Sequence, residues 1–251
     1  MRSSLVVGNW KMHGSVAEVR QLLGQLLAAA GDLPEAVEMG VCPTYLHLEL
    51  AREILAGSAV KLGAQNAHAE PKGAFTGEVS ASMLAEFGVT FVIVGHSERR
   101  ELFHETDAMV AAKFKAVQAN KLIPILCIGE SLQQREQGIT AQVVLNQLDA
   151  VIDATGIGAF AEAVVAYEPL WAIGTGKTAS PEQAQQVHRL IREHLAGRSE
   201  NIAANARILY GGSVKSGNAT ELFGQPDVDG GLVGGASLQA EEFLAICKSA
   251  E

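Results

Sequence analysis

Cysteine is scarce in this 251-residue chain, and its three copies, Cys42, Cys127 and Cys247, form no CxxC or CxxxC spacing. An odd, scattered set argues against a disulfide framework or a zinc ribbon and makes a reducing cytosol the expected compartment. Positive charge is also short: 19 Lys and Arg face 28 Asp and Glu, a net of −9. That balance argues against nucleic acid or an anionic membrane as the main partner, because both need a basic surface. A small anion remains open, since one Lys and a few N–H groups can reverse the field inside a cleft. No apolar stretch reaches the ~18 residues of a membrane span. The run in MRSSLVVGNWKMHG is too short for a signal peptide. Linker-like, low-complexity and exactly repeated segments are missing too, so residues 1–251 are expected to form one domain.

Apolar residues are plentiful, at 48% of the chain against 19% charged, enough to bury a sizeable core. Short apolar, β-branched runs recur at 5–7, 37–41, 60–62, 91–94, 123–128, 163–166, 207–209 and 228–233. They are too short for helices and do not alternate, which is the pattern of parallel strands buried on both faces. Helix-period segments lie between them at 16–30, 46–55, 80–87, 106–120, 141–152, 182–196 and 241–248. Ser180, with Pro181 after it, opens the sixth of these and Gly197 closes it. About eight βα units in ~250 residues predict a closed (β/α)8 barrel, with a doubly wound open sheet as the competitor.

Some motifs fail on inspection. Gly174-Thr175-Gly176-Lys177-Thr178 ends like a phosphate loop, but Trp171 occupies the position of its first glycine. His96, Glu98 and His104 lack any metal-ligand spacing, so no metal is expected. The strand ends are more informative, because a barrel collects its chemistry there. Asn9 and Lys11 follow the first strand, His96 and Glu98 the fourth, and Glu168 the sixth. The seventh runs into Tyr210-Gly211-Gly212-Ser213 and the eighth into Gly234-Gly235. One Lys, one His and two Glu thus converge with two Gly-rich loops. Exposed backbone N–H groups in such loops, next to a short helix start, make an anion site.

NWKMHG, VIVGHSERR, AYEPLWAIGTGKTAS, YGGSV and GLVGGASL, in order from residue 9 to residue 238, resemble the triosephosphate isomerase family. The resemblance implies a TIM barrel and a cytoplasmic, cofactor-free isomerase of glycolysis and gluconeogenesis. It would interconvert dihydroxyacetone phosphate and D-glyceraldehyde 3-phosphate through an enediolate. It implies Glu168 as the base, a neutral His96 as the electrophile and Lys11 as the electrostatic stabiliser. Asn9 resembles a neighbouring donor, and Glu98 the carboxylate that orients Lys11. Gly174, Ser213, Gly234 and Gly235 resemble the backbone donors to phosphate. A homodimer is implied as well, with Phe75 and Thr76 in a loop that enters the partner. His13 stands near that contact where the family usually has Asn. Residues 169–177 are expected to close as a lid over the mouth. The rival enzyme is a barrel lyase using Lys11 as a Schiff base, which needs a desolvated lysine. A non-catalytic sensor of phosphorylated metabolites would not need both His96 and Glu168.

Overall fold

The computed structural model describes residues 2–174 and 178–251. Eight parallel strands close in sequence order: β1 (Ser4–Asn9), β2 (Val37–Cys42), β3 (Lys61–Ala64), β4 (Phe91–Val94), β5 (Ile123–Ile128), β6 (Val164–Tyr167), β7 (Arg207–Tyr210) and β8 (Gly230–Val233). β8 pairs with β1, so the predicted barrel is observed and the open sheet is ruled out. The ring is uneven. β1 and β2 pair from Ser4↔Val37 to Asn9↔Cys42, whereas β7 and β8 have one registered pair, Tyr210↔Gly231, preceded by the Asp229 N–H donating to Ile208 O at 2.9 Å.

Each strand divides its side chains between two cores, as a period of two requires. Leu5 and Val7 point into the barrel with Phe91, Ile93, Ile125, Val164 and Leu209. Val6 points outward to the layer under the helices, with Val92, Leu126, Val165 and Ile208. Both faces are buried, which is why the strands read as unbroken apolar runs.

Helices cover the barrel. Between β1 and β4 they are α1 (Val16–Ala30), α2 (Leu48–Leu55) and α3 (Ala81–Glu86). Around β4 to β6 come α4 (Ser97–Leu102), α5 (Asp107–Ala119), α6 (Leu132–Glu136) and α7 (Thr140–Thr155). The last are α8 (Pro181–Ala196), α9 (Glu200–Asn205), α10 (Ser216–Phe223) and α11 (Ala240–Lys248). α1 starts at a capping box of Ser15 and Glu18, and α8 at one of Ser180 and Gln183 with Pro181 in its first turn. α6, α9 and α10 go beyond the sequence expectation. So do the 3₁₀ segments Ile157–Glu162 and Leu170–Ala172, where loops were expected.

Candidate active site

A cavity of about 830 Å³ opens at the carboxyl ends of the strands. Asn9, Lys11, His96, Glu168, Gly174, Ser213, Gly234 and Gly235 all line it. Glu98, the remaining expected member, reaches it through Lys11. Its Oε1 lies 2.5 Å from Lys11 Nζ. His13 lines the same cavity, while Phe75 and Thr76 lie outside it on an exposed loop.

Lys11 is placed by backbone geometry that only a few non-glycine residues adopt, with φ at +51°. Its N–H donates to Asn9 Oδ1 at 3.1 Å, and its carbonyl accepts from Gln65 Nε2 at 2.8 Å. The same Gln65 amide reaches Cys42 O at 2.9 Å, tying the turn after β1 to the end of β2. Clamped on both sides, the left-handed residue aims its ammonium along Gly234, where an added Cβ would lie 3.6 Å from Lys11 Cε.

His96 caps the start of α4: its Nδ1 accepts the Glu98 N–H at 3.1 Å. A nitrogen that accepts carries no proton, so this bond leaves the proton on Nε2. Nε2 lies 3.0 Å from Glu168 Oε1. Burial disfavours a charged imidazole, but Glu168 and Glu98 favour it, and the His96 pKa is raised from its ordinary value. The bond from Glu98 N–H opposes that, since it must break before Nδ1 can be protonated.

Glu168 follows β6 and is buried, with 2% exposure. Its N–H donates to Ile128 O at 2.8 Å, and its Oε2 accepts the Ser97 N–H at 2.9 Å. Burial acts to raise its pKa, yet His96, the Ser97 N–H and Lys11 outweigh burial and hold it below the usual carboxylate value. The strand end leaves no slack here. A Cβ on Gly129 would lie 1.8 Å from Glu168 O, so only glycine fits beside the base.

Ser213 behaves differently from expectation in one respect. Its N–H, an anion donor by resemblance, donates to Ala172 O at 3.0 Å. Gly174 sits at the cavity with φ at +67°. The stretch 175–177 of the expected lid lies outside the described residues.

The sequence reading missed four supporting residues. Glu130 is fully buried; its Oε1 accepts from Tyr167 Oη at 3.0 Å, Trp171 Nε1 at 3.1 Å and Arg135 Nη1 at 3.3 Å. It stands at the end of β5, so the strand-end rule could have found it. Gln147 pairs with both backbone groups of Gly129, at 2.8 and 3.1 Å. Arg100 bridges Gly95 O at 2.8 Å and Cys127 O at 3.3 Å. Gln65, Gln147 and Arg100 bind mainly backbone, which leaves no residue pattern to read. No cluster of His, Cys, Asp and Glu suited to a metal ion occurs among the described residues, and none of their helices is long and apolar enough to cross a membrane.

The family model for triosephosphate isomerase matches residues 4–250. The chain is 60% identical over 250 residues to a triosephosphate isomerase of Thiobacillus denitrificans, covering 100% of this chain and 99% of the relative. It is 57% identical over 250 residues to one of Dechloromonas aromatica, covering both in full.

Proposed function

Taking as premise that the chain belongs to the triosephosphate isomerase family and is an isomerase, we propose that it interconverts dihydroxyacetone phosphate and D-glyceraldehyde 3-phosphate at this cavity. The observation that carries the assignment of roles is the facing pair of Glu168 and His96, with Lys11 on the same wall.

Glu168 is the base. In the free site its pKa is held below the usual carboxylate value, so it is ionised when substrate arrives; once the substrate parts it from His96, the main lowering influence is gone and burial strengthens its hold on the proton it takes from the carbon beside the carbonyl. His96 donates its Nε2–H to the carbonyl oxygen as charge builds there. When that oxygen replaces Glu168 on Nε2, the main influence raising the imidazole pKa is gone and burial favours the neutral ring. Lys11 supplies a fixed positive charge to the enediolate and the phosphate, and Asn9 and Glu98 hold it in place. A Schiff-base role for Lys11 is disfavoured, because such a lysine must be desolvated, whereas this side chain is 27% exposed and its Nζ is held by Glu98 at 2.5 Å.

Phosphate fits against the N–H groups of Gly174, Ser213, Gly234 and Gly235. For Ser213 to serve, the Leu170–Ala172 turn must release its bond, which couples anion binding to movement of the expected lid. The proposal includes a cytoplasmic, cofactor-free homodimer in glycolysis and gluconeogenesis, with His13, Phe75 and Thr76 at the contact. The test is a coupled assay with dihydroxyacetone phosphate as the only substrate. Rapid formation of the aldose is expected. Borohydride trapping of substrate on Lys11 without isomerisation would sink the reading.

A further inference from the structure

Glu168 stands between two cavities, and among the described residues it is the only one that lines both. The front cavity is the candidate active site. The rear one holds about 230 Å³ and lies between the ends of β4, β5 and β6. Ser97 lines it and touches the Glu168 carboxylate, its N–H donating to Oε2, and buried Cys127 lines it beside them. The two oxygens of Glu168 therefore face different ways. Oε1 meets His96 at the front, and Oε2 meets the wall of the rear cavity. Ser131, Gln134 and Gln147 add polar side chains to that wall, and exposed Glu101 stands at its edge. A polar space of this size takes several water molecules, each with the two or more partners that an ordered water needs.

Resting on the reading of Glu168 as the base, we propose that the rear cavity is a water site through which the proton held by Glu168 exchanges with solvent while substrate fills the front. The steps balance. A C–H bond breaks, its electron pair stays in the enediolate, and its proton forms an O–H bond on the carboxylate. Rotation about Cγ–Cδ interchanges the two oxygens and turns that O–H to the rear. There the carboxyl gives its proton to water and takes one back. The acid is unchanged and only the identity of the proton differs. A second rotation returns it to the front, where it passes to the neighbouring carbon, the enediolate's electron pair forming the new C–H bond. Isomerisation and exchange thus compete for one proton, and the rear space sets the speed of exchange alone.

The experiment runs dihydroxyacetone phosphate in D₂O, traps the aldose at early conversion, and measures the share of product that keeps protium at carbon 2. Glu101→Trp narrows the rear cavity from an exposed position on α4, where substitutions rarely disturb the fold. It is expected to raise protium retention at least about twofold while kcat/KM stays within about twofold, since the chemistry at the front is untouched. Glu101→Gln, which keeps the space and removes the charge, is expected to match the wild type. Gln134→Phe narrows the cavity from α6 and takes the place of Glu101→Trp should that variant fail to fold. Retention equal to wild type in the narrowed variant overturns the proposal. So does a rise that comes with a collapse of kcat, because that marks a displaced Glu168. Absence of isomerisation in the wild type is a separate result, and it strikes the assigned reaction instead of the exchange route.

Discussion

Glu168 reaches its proton over a distance set by one side-chain length. Glu168→Asp withdraws the carboxylate by roughly 1 Å, and misplacement on that scale costs about 10²-fold in rate. Steady-state kinetics are expected to show the loss in kcat, with KM little changed. An Asp variant turning over at the wild-type rate would remove Glu168 from the base role. His188 makes a second prediction. It is fully buried, 3.3 Å from Asp227 O through Nδ1, with its ring 5.8 Å from that of Tyr167 and 6.3 Å from that of Tyr210. Burial pushes its pKa down to about 4, against about 6.5 in an unfolded chain. Between those values the unfolded chain binds the extra proton, so the stability from a neutral His188 is full above about pH 6.5 and lost as pH falls to about 4. The difference is about 3 kcal/mol. Denaturant unfolding across that window is expected to show a shallower pH dependence for His188→Phe. An unaltered slope would mean that other groups carry the acid sensitivity.

At the scale of elements, helix α7 reaches into the site through one residue. Gln147 satisfies both the N–H and the C=O of Gly129, next to Glu130 and against the backbone of Glu168. Gln147→Leu leaves both groups without their partner, at about 1–3 kcal/mol each where water cannot replace it. A drop of that size in denaturant unfolding is expected, and an unchanged midpoint would show that water reaches Gly129. Elements of this kind also mark where sequence reading stops. The eight strands were legible because both faces are apolar, and α1 and α8 because three or more turns of periodicity carry capping residues at the start. α6 and α9, Leu132–Glu136 and Glu200–Asn205, are too short to display a period. Leu170–Ala172 reads as a loop because a single 3₁₀ turn has no pattern of its own. The candidate site was legible where a titratable residue ends a strand, as at Lys11, His96 and Glu168, and the same rule extends to Glu130 after β5. Gln65 and Gln147 escaped because their partners are backbone atoms contributed by distant segments.

The whole molecule presents apolar side chains on four successive loops of one barrel end. Met12 is 92% exposed and Leu46 90%, and Phe75, Leu102 and Phe103 continue the series after β3 and β4. Phe75 leans on His68 with ring centroids 4.2 Å apart. Exposed apolar groups on neighbouring loops fit the homodimer proposed above. Thr76→Arg is expected to shift the protein toward monomers, because a charge buried without a partner costs about 3–5 kcal/mol. Sedimentation showing an unchanged dimer would move the interface elsewhere.

A closed ring of strands can open only by parting somewhere, and here β7 and β8 share a single registered pair, Tyr210↔Gly231, with two bonds between Ile208 and Asp229 just before it. The backbone amides along that join are expected to exchange with deuterated water sooner than those between β1 and β2, where six pairs run in register. The proposed phosphate donors lie on either side of the join, Ser213 beyond β7 and Gly234 and Gly235 beyond β8. A bound phosphate would then act as a staple across the weakest part of the ring. Saturating inorganic phosphate is expected to slow exchange at Tyr210, Gly231 and Leu232 most, leaving the β1–β2 amides nearly as they were. Equal slowing around the whole ring would show that the anion stabilises the fold in general and that the barrel parts somewhere else.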